Sequence, residues 1–435
     1  MLDRVTPIVE TAPTVRRTRV HRAWWVAAAA ALAIIAAGAV STMPGLLVQP
    51  LHQEFDWSRG TIGVAVWVSM ALNGLVAPFA ASLMDRFGLR AVVVAALTVI
   101  VVGAGLTTVM TEGWQLTLYW GVLVGLGTGS MATAFAATVA NRWFVRRRGL
   151  VTGILAGTSV FGQFAFLPVL AWVIEQHQWR AGTVTVALAA LVVVPFGWLF
   201  LRDHPADVGL EAYGATQPTP RAAPVPGAAR RALRVLRSAS RTGTFWLLLG
   251  TFAICGASTN GVMWTHFVPA AHDHGMPPTV AASLLTMVGI FNLVGTIASG
   301  WLTDRYDPRR LLAAYYTLRG ISLLLLPMLL DPTAKPSLVL FVIFFGLLDV
   351  ATVPPTIALS TIRATYGTGD SAIVFGWTLA GHQLGAGLVA AGGGIARDAL
   401  GSYTMVWIAA GALCGIAALM ALLIRQPSEM PSAAA

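Results

Sequence analysis

Three ionisable side chains, Arg319, Asp349 and His382, stand inside long apolar runs of this sequence. An ionisable group at such a place is costly and marks a functional site by default. The residue types suit definite chemistry. A guanidinium grips a carboxylate through two parallel N–H groups, a carboxyl group takes up and releases a proton, and an imidazole changes charge near neutral pH. Counted from the cytoplasmic end of each run, Arg319 lies roughly 14 Å deep and Asp349 and His382 roughly 16 Å deep, so the three share one depth. Three readings of the charged pair stay open. Arg319 and Asp349 neutralise each other as a structural ion pair between adjacent helices, or Asp349 exchanges a proton, or Arg319 anchors the carboxylate of a substrate. His382 is either a second proton carrier or a neutral imidazole bonded to a neighbouring helix.

Four amides recur with them. Sliding the second half of the chain back by 219 residues lays Asn292 on Asn73 and Asp304-Arg305 on Asp85-Arg86, and offsets of 220 and 221 lay Gln383 on Gln163 and Arg363 on Arg142. The chain is therefore an internal repeat. If all four amides face the axis between the halves, they form two polar pairs, Asn73 with Asn292 and Gln163 with Gln383, that donate to and accept from a small polar solute. Interhelical bonds, worth about 0.6 kcal/mol each, are their plainer use. Glycines recur every four residues at Gly121, Gly125 and Gly129, at Gly149, Gly153 and Gly157, and at Gly381 and Gly385, making smooth ridges for close helix contact. His266, His272, Asp273 and His274 cluster near the end of a run, but a wet loop is expected there and no metal is assigned. Cys255 and Cys414 sit in apolar runs and give no disulfide framework.

What must position these groups is a membrane. Of 435 residues 56% are hydrophobic and 11% charged, with a mean hydropathy of +0.73. Soluble chains carry about 25% charge, so the surplus apolar surface has to face lipid. Apolar runs long enough to span fall near 23–47, 61–83, 91–110, 114–139, 149–174 and 181–201, then near 244–270, 279–303, 310–330, 337–360, 371–395 and 402–424. The expected fold is all-α and integral to the membrane, with twelve transmembrane helices in two six-helix bundles, 23–201 and 244–424. A tail of residues 1–22 precedes them, a linker of 202–243 joins them, and a tail of 425–435 follows. The linker, rich in Pro and Arg, is expected to be solvated, with no apolar face to bury. The net charge of +10 comes from cations in short blocks between spans. That pattern points to membrane lipids and away from nucleic acid. Of these cations 23 fall on the side of the tails and linker against 4 on the other, which makes both termini cytoplasmic by the positive-inside rule.

The loops carry a paired motif. Ala81-Ser-Leu-Met-Asp85-Arg86-Phe-Gly88-Leu-Arg90 follows helix two, and Gly300-Trp-Leu-Thr-Asp304-Arg305-Tyr-Asp307-Pro-Arg309 follows helix eight. In this the chain resembles the major facilitator superfamily of transporters over nearly all of 23–424. That family's loop reads Gly-x-x-x-Asp-Arg-x-Gly-x-Arg, from which Ala81 and Asp307 depart. Phe55-Asp-Trp-Ser-Arg59, Tyr119-Trp-Gly-Val-Leu-Val-Gly-Leu-Gly-Thr-Gly129, Arg146-Arg-Arg-Gly-Leu-Val-Thr-Gly153 and Pro205-Ala-Asp-Val-Gly-Leu210 are similar to bacterial members of the monocarboxylate and oxalate/formate carrier branch. The cations by which characterised carboxylate carriers hold their anions, in helices one and eight, are missing from 23–47 and 279–303. The resemblance implies two halves rocking about a midplane site, a second-half wall of helices seven, eight, ten and eleven with helix nine behind, and a cytoplasmic gate. That gate would comprise Asp85, Arg86, Arg90, Arg142, Asp304, Arg305 and Arg363.

The expected function is secondary active transport, not enzymatic, by a monomer of the bacterial inner membrane. One Lys beside 27 Arg suits a GC-rich bacterial genome. No Gly-x-x-x-x-Gly-Lys-Ser/Thr loop occurs, so a gradient supplies the energy and no cofactor is assigned. The expected cargo is a small organic anion, a monocarboxylate, moved with a proton. Arg319 draws the anion among Asn73, Asn292, Gln163 and Gln383, and Asp349 or His382 takes the proton. The alternatives are proton-driven efflux of amphipathic compounds and a transporter-like receptor that moves nothing.

Overall fold

The computed structural model describes residues 21–131, 133–215, 227–360 and 371–424. Arg363 and most of both tails lie outside them. Among the described residues eleven helical stretches are long and apolar enough to cross a membrane. They are Arg22–Phe55 (helix one), Arg59–Phe87 (two), Leu89–Thr107 (three), Gly113–Trp143 (four), Leu150–Phe200, Gly243–Asp273 (seven), Pro278–Thr303 (eight), Pro308–Met328 (nine), Pro336–Ser360 (ten), Ile373–Leu400 (eleven) and Thr404–Leu422 (twelve).

Leu150–Phe200 has 51 residues, about 75 Å if straight against a hydrocarbon core of about 30 Å. It turns at Gln178 (φ 70°, ψ 166°). A Cβ on Gly182 would stand 2.6 Å from Ile174 Cγ1, so the chain folds straight back, into helix five (150–177) and helix six (179–200). The ends agree with this: Trp179 Nε1 donates to Glu54 at the finish of helix one (2.5 Å), and Phe200 stacks on Trp25 at its start (5.8 Å). Twelve crossings result, arranged as two bundles of six.

The two motif loops start their next helices by different means. Gly88 adopts φ 89°, and a Cβ there would lie 2.5 Å from Asp203 Oδ2, so only glycine fits. In the second copy Asp307 accepts from Arg309 N (2.9 Å) with Pro308 in the first helical position, a cap and start that need no positive φ. The departure at Asp307 is thus a second solution to the same corner.

Close contact within the bundles follows the glycines. On helix four, Cβ atoms at Gly121, Gly125 and Gly129 would meet Ala65 O at 3.0 Å, Ser69 Cα at 2.8 Å and Asn73 Cα at 2.8 Å of helix two. Helices seven and eleven touch backbone to backbone, since a Cβ on Gly256 would lie 1.9 Å from His382 O and one on Gly385 2.1 Å from Ala253 O. Gly153 and Gly157 of helix five meet nothing within 4 Å among the described residues. Between the bundles, helix two runs along helix eleven and helix five along helix eight.

The linker departs from the expected solvated coil. Its first part packs on the first bundle, with Asp203 Oδ1 accepting from Arg90 N (2.9 Å) and Tyr213 N donating to Trp143 O (2.8 Å). Its last part, Ala228–Ala239, is a helix that buries Ala232, Val235 and Ala239. That spacing marks one helix face, hidden in the sequence among four arginines.

Gly256→Val should lower the unfolding temperature of the purified protein by roughly 5 °C or more, because backbone cannot yield as a flexible side chain can. Gly153→Val, which meets nothing, should leave it within about 1 °C, and differential scanning fluorimetry in detergent reads both.

Candidate functional site

The site begins with a broken helix. In helix ten the sequence Asp349-Val-Ala-Thr-Val-Pro354-Pro355 puts two prolines where N–H groups should bond Val350 and Ala351 carbonyls, and their rings crowd those carbonyls. The helix stops at Asp349 and resumes at Val353, which frees carbonyls that need donors. Ser299 Oγ of helix eight donates to Ala351 O (2.5 Å). From helix nine, Arg319 Nη2 donates to Leu348 O (2.5 Å) and Asp349 O (2.7 Å). Its Nη1 donates to Cys255 Sγ (3.3 Å) and Ser258 Oγ (3.4 Å) of helix seven, where a π-helical turn, Ala257–Gly261, re-aims the chain. Arg319 is fully buried.

The side-chain ion pair considered for Arg319 and Asp349 is therefore not formed. The guanidinium serves the broken backbone at a helix C-terminus, where a cation is favoured, and the Asp349 carboxylate turns to helix eight. There Asn292 Nδ2 donates to Oδ2 (3.1 Å), and Asn292 Oδ1 accepts from Thr296 Oγ1 (3.1 Å). Asp349 Oδ1 has no partner among the described residues, and Asp349 is buried.

Helix eleven joins this cluster to the first bundle. The His382 ring lies against Phe252 (4.8 Å between centroids), with Nδ1 unpartnered among the described residues. The next residue faces the other way: Gln383 Nε2 donates to Asn73 Oδ1 (2.7 Å), and Asn73 Nδ2 donates to Thr128 Oγ1 (3.1 Å). The expected pairs Asn73–Asn292 and Gln163–Gln383 are replaced, because helix two meets eleven and helix five meets eight. Half-buried Gln163 stands where helix five crosses helix one, its N 3.1 Å from a Cβ built on Gly38. Phe164, the next residue, makes the contact with helix eight, filling the space beside Gly289, accepting at its carbonyl from Thr286 (3.0 Å) and facing Trp264 of helix seven (4.8 Å).

The gate candidates hold local contacts. Arg142 Nη2 donates to Asp85 Oδ1 (2.5 Å), joining helices two and four within the first bundle. Arg86 lies over Phe87 (5.1 Å), Arg90 over Trp198 (4.5 Å) and Arg305 over Trp301 (4.0 Å). Asp304 is exposed.

The sequence reading missed the contact that spans the bundles on the arginine-poor face. Arg59 Nη1 meets Asp398 Oδ1 (3.3 Å), Gly60 N donates to Asp398 Oδ2 (3.1 Å), and Arg59 Nη2 donates to Gln49 (3.2 Å). Only the pairing of helices two and eleven brings these residues together. Cys255 and Ser258 were missed as well, although Cys255-Gly-Ala-Ser258-Thr-Asn-Gly261 is a small, polar interruption of an apolar span. His266, expected beside a wet loop, is buried and bonds Ala390 O (2.9 Å). A cavity of about 420 Å³ opens beside Gln49, Glu54, Glu175, Gln178 and His272 on the arginine-poor face, and none of the Arg319 cluster lines it.

Two parallel bundles of six helices are the architecture the sequence resemblance implied, and the polar cluster lies within the second of them. The profile of the Major Facilitator Superfamily matches residues 29–365 and 256–435. The chain belongs to that superfamily. Monocarboxylate transporter 13 of Bos taurus is 30% identical over 366 residues, covering 82% of this chain and 78% of that protein. MFS-type transporter YcxA of Bacillus subtilis is 24% identical, covering 86% and 88%. Among solved structures, a bacterial homolog of the human lysosomal transporter Spinster, inward-facing and unoccupied, aligns with TM-score 0.72 at 16% identity over 93% of this chain and 97% of that one. A D-xylose-proton symporter aligns at 0.71 and 14% identity over 94% and 99%. At such identity the fold is what is shared. Membership of this superfamily makes the protein a transporter and not an enzyme.

Arg319→Met should cost about 3–5 kcal/mol, since it strips donors from two carbonyls and leaves Asp349 uncompensated. Arg319→Met/Asp349→Asn should recover part of that loss in chemical unfolding, and no recovery would assign the cost to packing alone.

Proposed function

We propose that the protein is a symporter of a small organic monocarboxylate and a proton, working as a monomer in the bacterial inner membrane with both termini cytoplasmic. The observation that carries this reading is one buried cluster holding a guanidinium bonded to carbonyl oxygens and a carboxylate with an open oxygen. A buried site tolerates little net charge. With Asp349 ionised, Arg319 and Asp349 balance each other and the site is neutral when empty. A proton on Oδ1 leaves the guanidinium uncompensated, and one anionic carboxylate restores neutrality by accepting from Arg319 Nε, which has no partner among the described residues, while Nη2 stays on the Leu348 and Asp349 carbonyls. Proton and monoanion therefore ride together.

The other residues take supporting parts in this reading. Asn292 aims the Asp349 carboxylate, His382 is the second group able to carry the proton, and Asn73, Gln163 and Gln383 border the path between the bundles. Asp85 with Arg142, and by the repeat Asp304 with Arg363, would form the cytoplasmic gate, with Arg86, Arg90 and Arg305 beside them. The substrate class is supported by relatives whose names are monocarboxylate transporter 13, 12 and 11. The placement of the termini is supported by the 23-to-4 split of cations.

Purified protein in proteoliposomes loaded with a pH-sensitive dye should acidify the lumen when a monocarboxylate is added outside. Asp349→Asn should abolish the acidification by about a hundredfold or more while keeping exchange of labelled for unlabelled carboxylate, since a fixed neutral side chain mimics the protonated carrier. Arg319→Lys should weaken both, having lost the fork that matches a carboxylate. Silence toward carboxylates, with proton movement driven by lipophilic cations, would move the assignment to efflux.

A further inference from the structure

The linker helix Ala228–Ala239 has two faces of opposite character. Ala232, Val235 and Ala239 are buried, the last two against Phe79 of helix two, Phe245 of helix seven and Trp377 of helix eleven. Trp377 Nε1 donates to Ala232 O (3.0 Å). The helix thus rests on both bundles. On the opposite side stand Arg230, Arg234, Arg237 and Arg241, all exposed. Arg230, Arg234 and Arg237, spaced four and three residues apart, stand in one column, about 10 Å long at 1.5 Å per residue, and Arg241 follows two residues past the end of the helix. None of the four has an ion-pair or hydrogen-bond partner for its guanidinium among the described residues.

Two neighbours place this column at the level of a membrane surface. Leu233, flanking it, is 54% exposed, and Trp246, just after the helix, is 55% exposed with its indole donating to Ser240 O (2.8 Å). Exposed Leu and Trp beside unpaired arginines suit a layer that is apolar below and anionic above. They do not suit a face turned to free solution.

We propose that this arginine column is a binding site for the headgroups of anionic phospholipids in the leaflet on the arginine-rich side. The headgroup phosphates supply the missing partners of the four guanidiniums, and Leu233 and Trp246 enter the acyl boundary. Because the helix sits on helices two and eleven, one from each bundle, lipid held there steadies the seam along which the bundles move.

The test uses the full-length protein, purified in detergent and offered equal phosphatidylglycerol and phosphatidylcholine, with retained lipids counted by native mass spectrometry. Wild type should retain phosphatidylglycerol over phosphatidylcholine by about tenfold, with the preference shrinking in high salt. R230Q/R234Q/R237Q/R241Q should lose at least about fivefold of that preference while unfolding at the same temperature in phosphatidylcholine, and the matching quadruple Lys variant should keep most of it. A wild type without preference, a Gln variant that keeps it in full, or a Lys variant that loses it as the Gln variant does would each overturn the proposal. Displacement of the lipid by inorganic polyphosphate at matched ionic strength would overturn it in favour of a soluble polyanion.

Discussion

Arg319 donating to the carbonyls of Leu348 and Asp349 is the contact on which the second bundle depends. A transmembrane helix cannot leave backbone groups bare in hydrocarbon, so the double proline in helix ten is tolerable only with outside donors. Helix nine provides them through one side chain, helix eight adds Ser299, and helix seven anchors the same guanidinium through Cys255 and Ser258. Four helices are thereby tied to one break. The charge that repairs the backbone also sets the charge balance of the buried cluster, so structure and chemistry share a residue.

The repeat shows how that chemistry arose in one half only. Asn73 donates to Thr128, 55 residues on, and Asn292 donates to Asp349, 57 residues on. The same amide thus reaches the same place on the fourth helix of each bundle and finds a hydroxyl in one and a carboxylate in the other. At the 219 offset Arg319 falls on Ile100, which is buried against Gly127. At the positions equivalent to Arg319 and Asp349 the first bundle is neutral, with Ile100 and Thr128, and the second carries the ionisable groups.

Much of the fold was legible because lipid enforces a coarse rule: runs of apolar residues become helices and arginine blocks become loops. The twelve crossings, the two bundles and the glycine ridge of helix four all follow from composition and spacing. What the rule does not contain is which helix adjoins which. Asn73 and Gln383 were visible as candidates, yet their bond across the bundles depends on helix two lying on helix eleven. The same contact brings Arg59 to Asp398, invisible at a separation of 339 residues. The linker helix was hidden for another reason, since three small apolar residues among arginines average to a polar segment even though they occupy one face.

The glycine contacts between helices seven and eleven carry a mechanical consequence. Two crossings with no side chain between the backbones, at Gly256 and at Gly385, fix both the distance and the angle of the pair, as two rivets fix a joint that one would leave free to pivot. Helices seven and eleven then move as one plank. Cys255, Ser258 and His382 ride on that plank together, Arg319 is bonded to it through Cys255 and Ser258, and Asp349 stands off it, held by Asn292 of helix eight, so a rearrangement of the site is a motion of the acid relative to the plank.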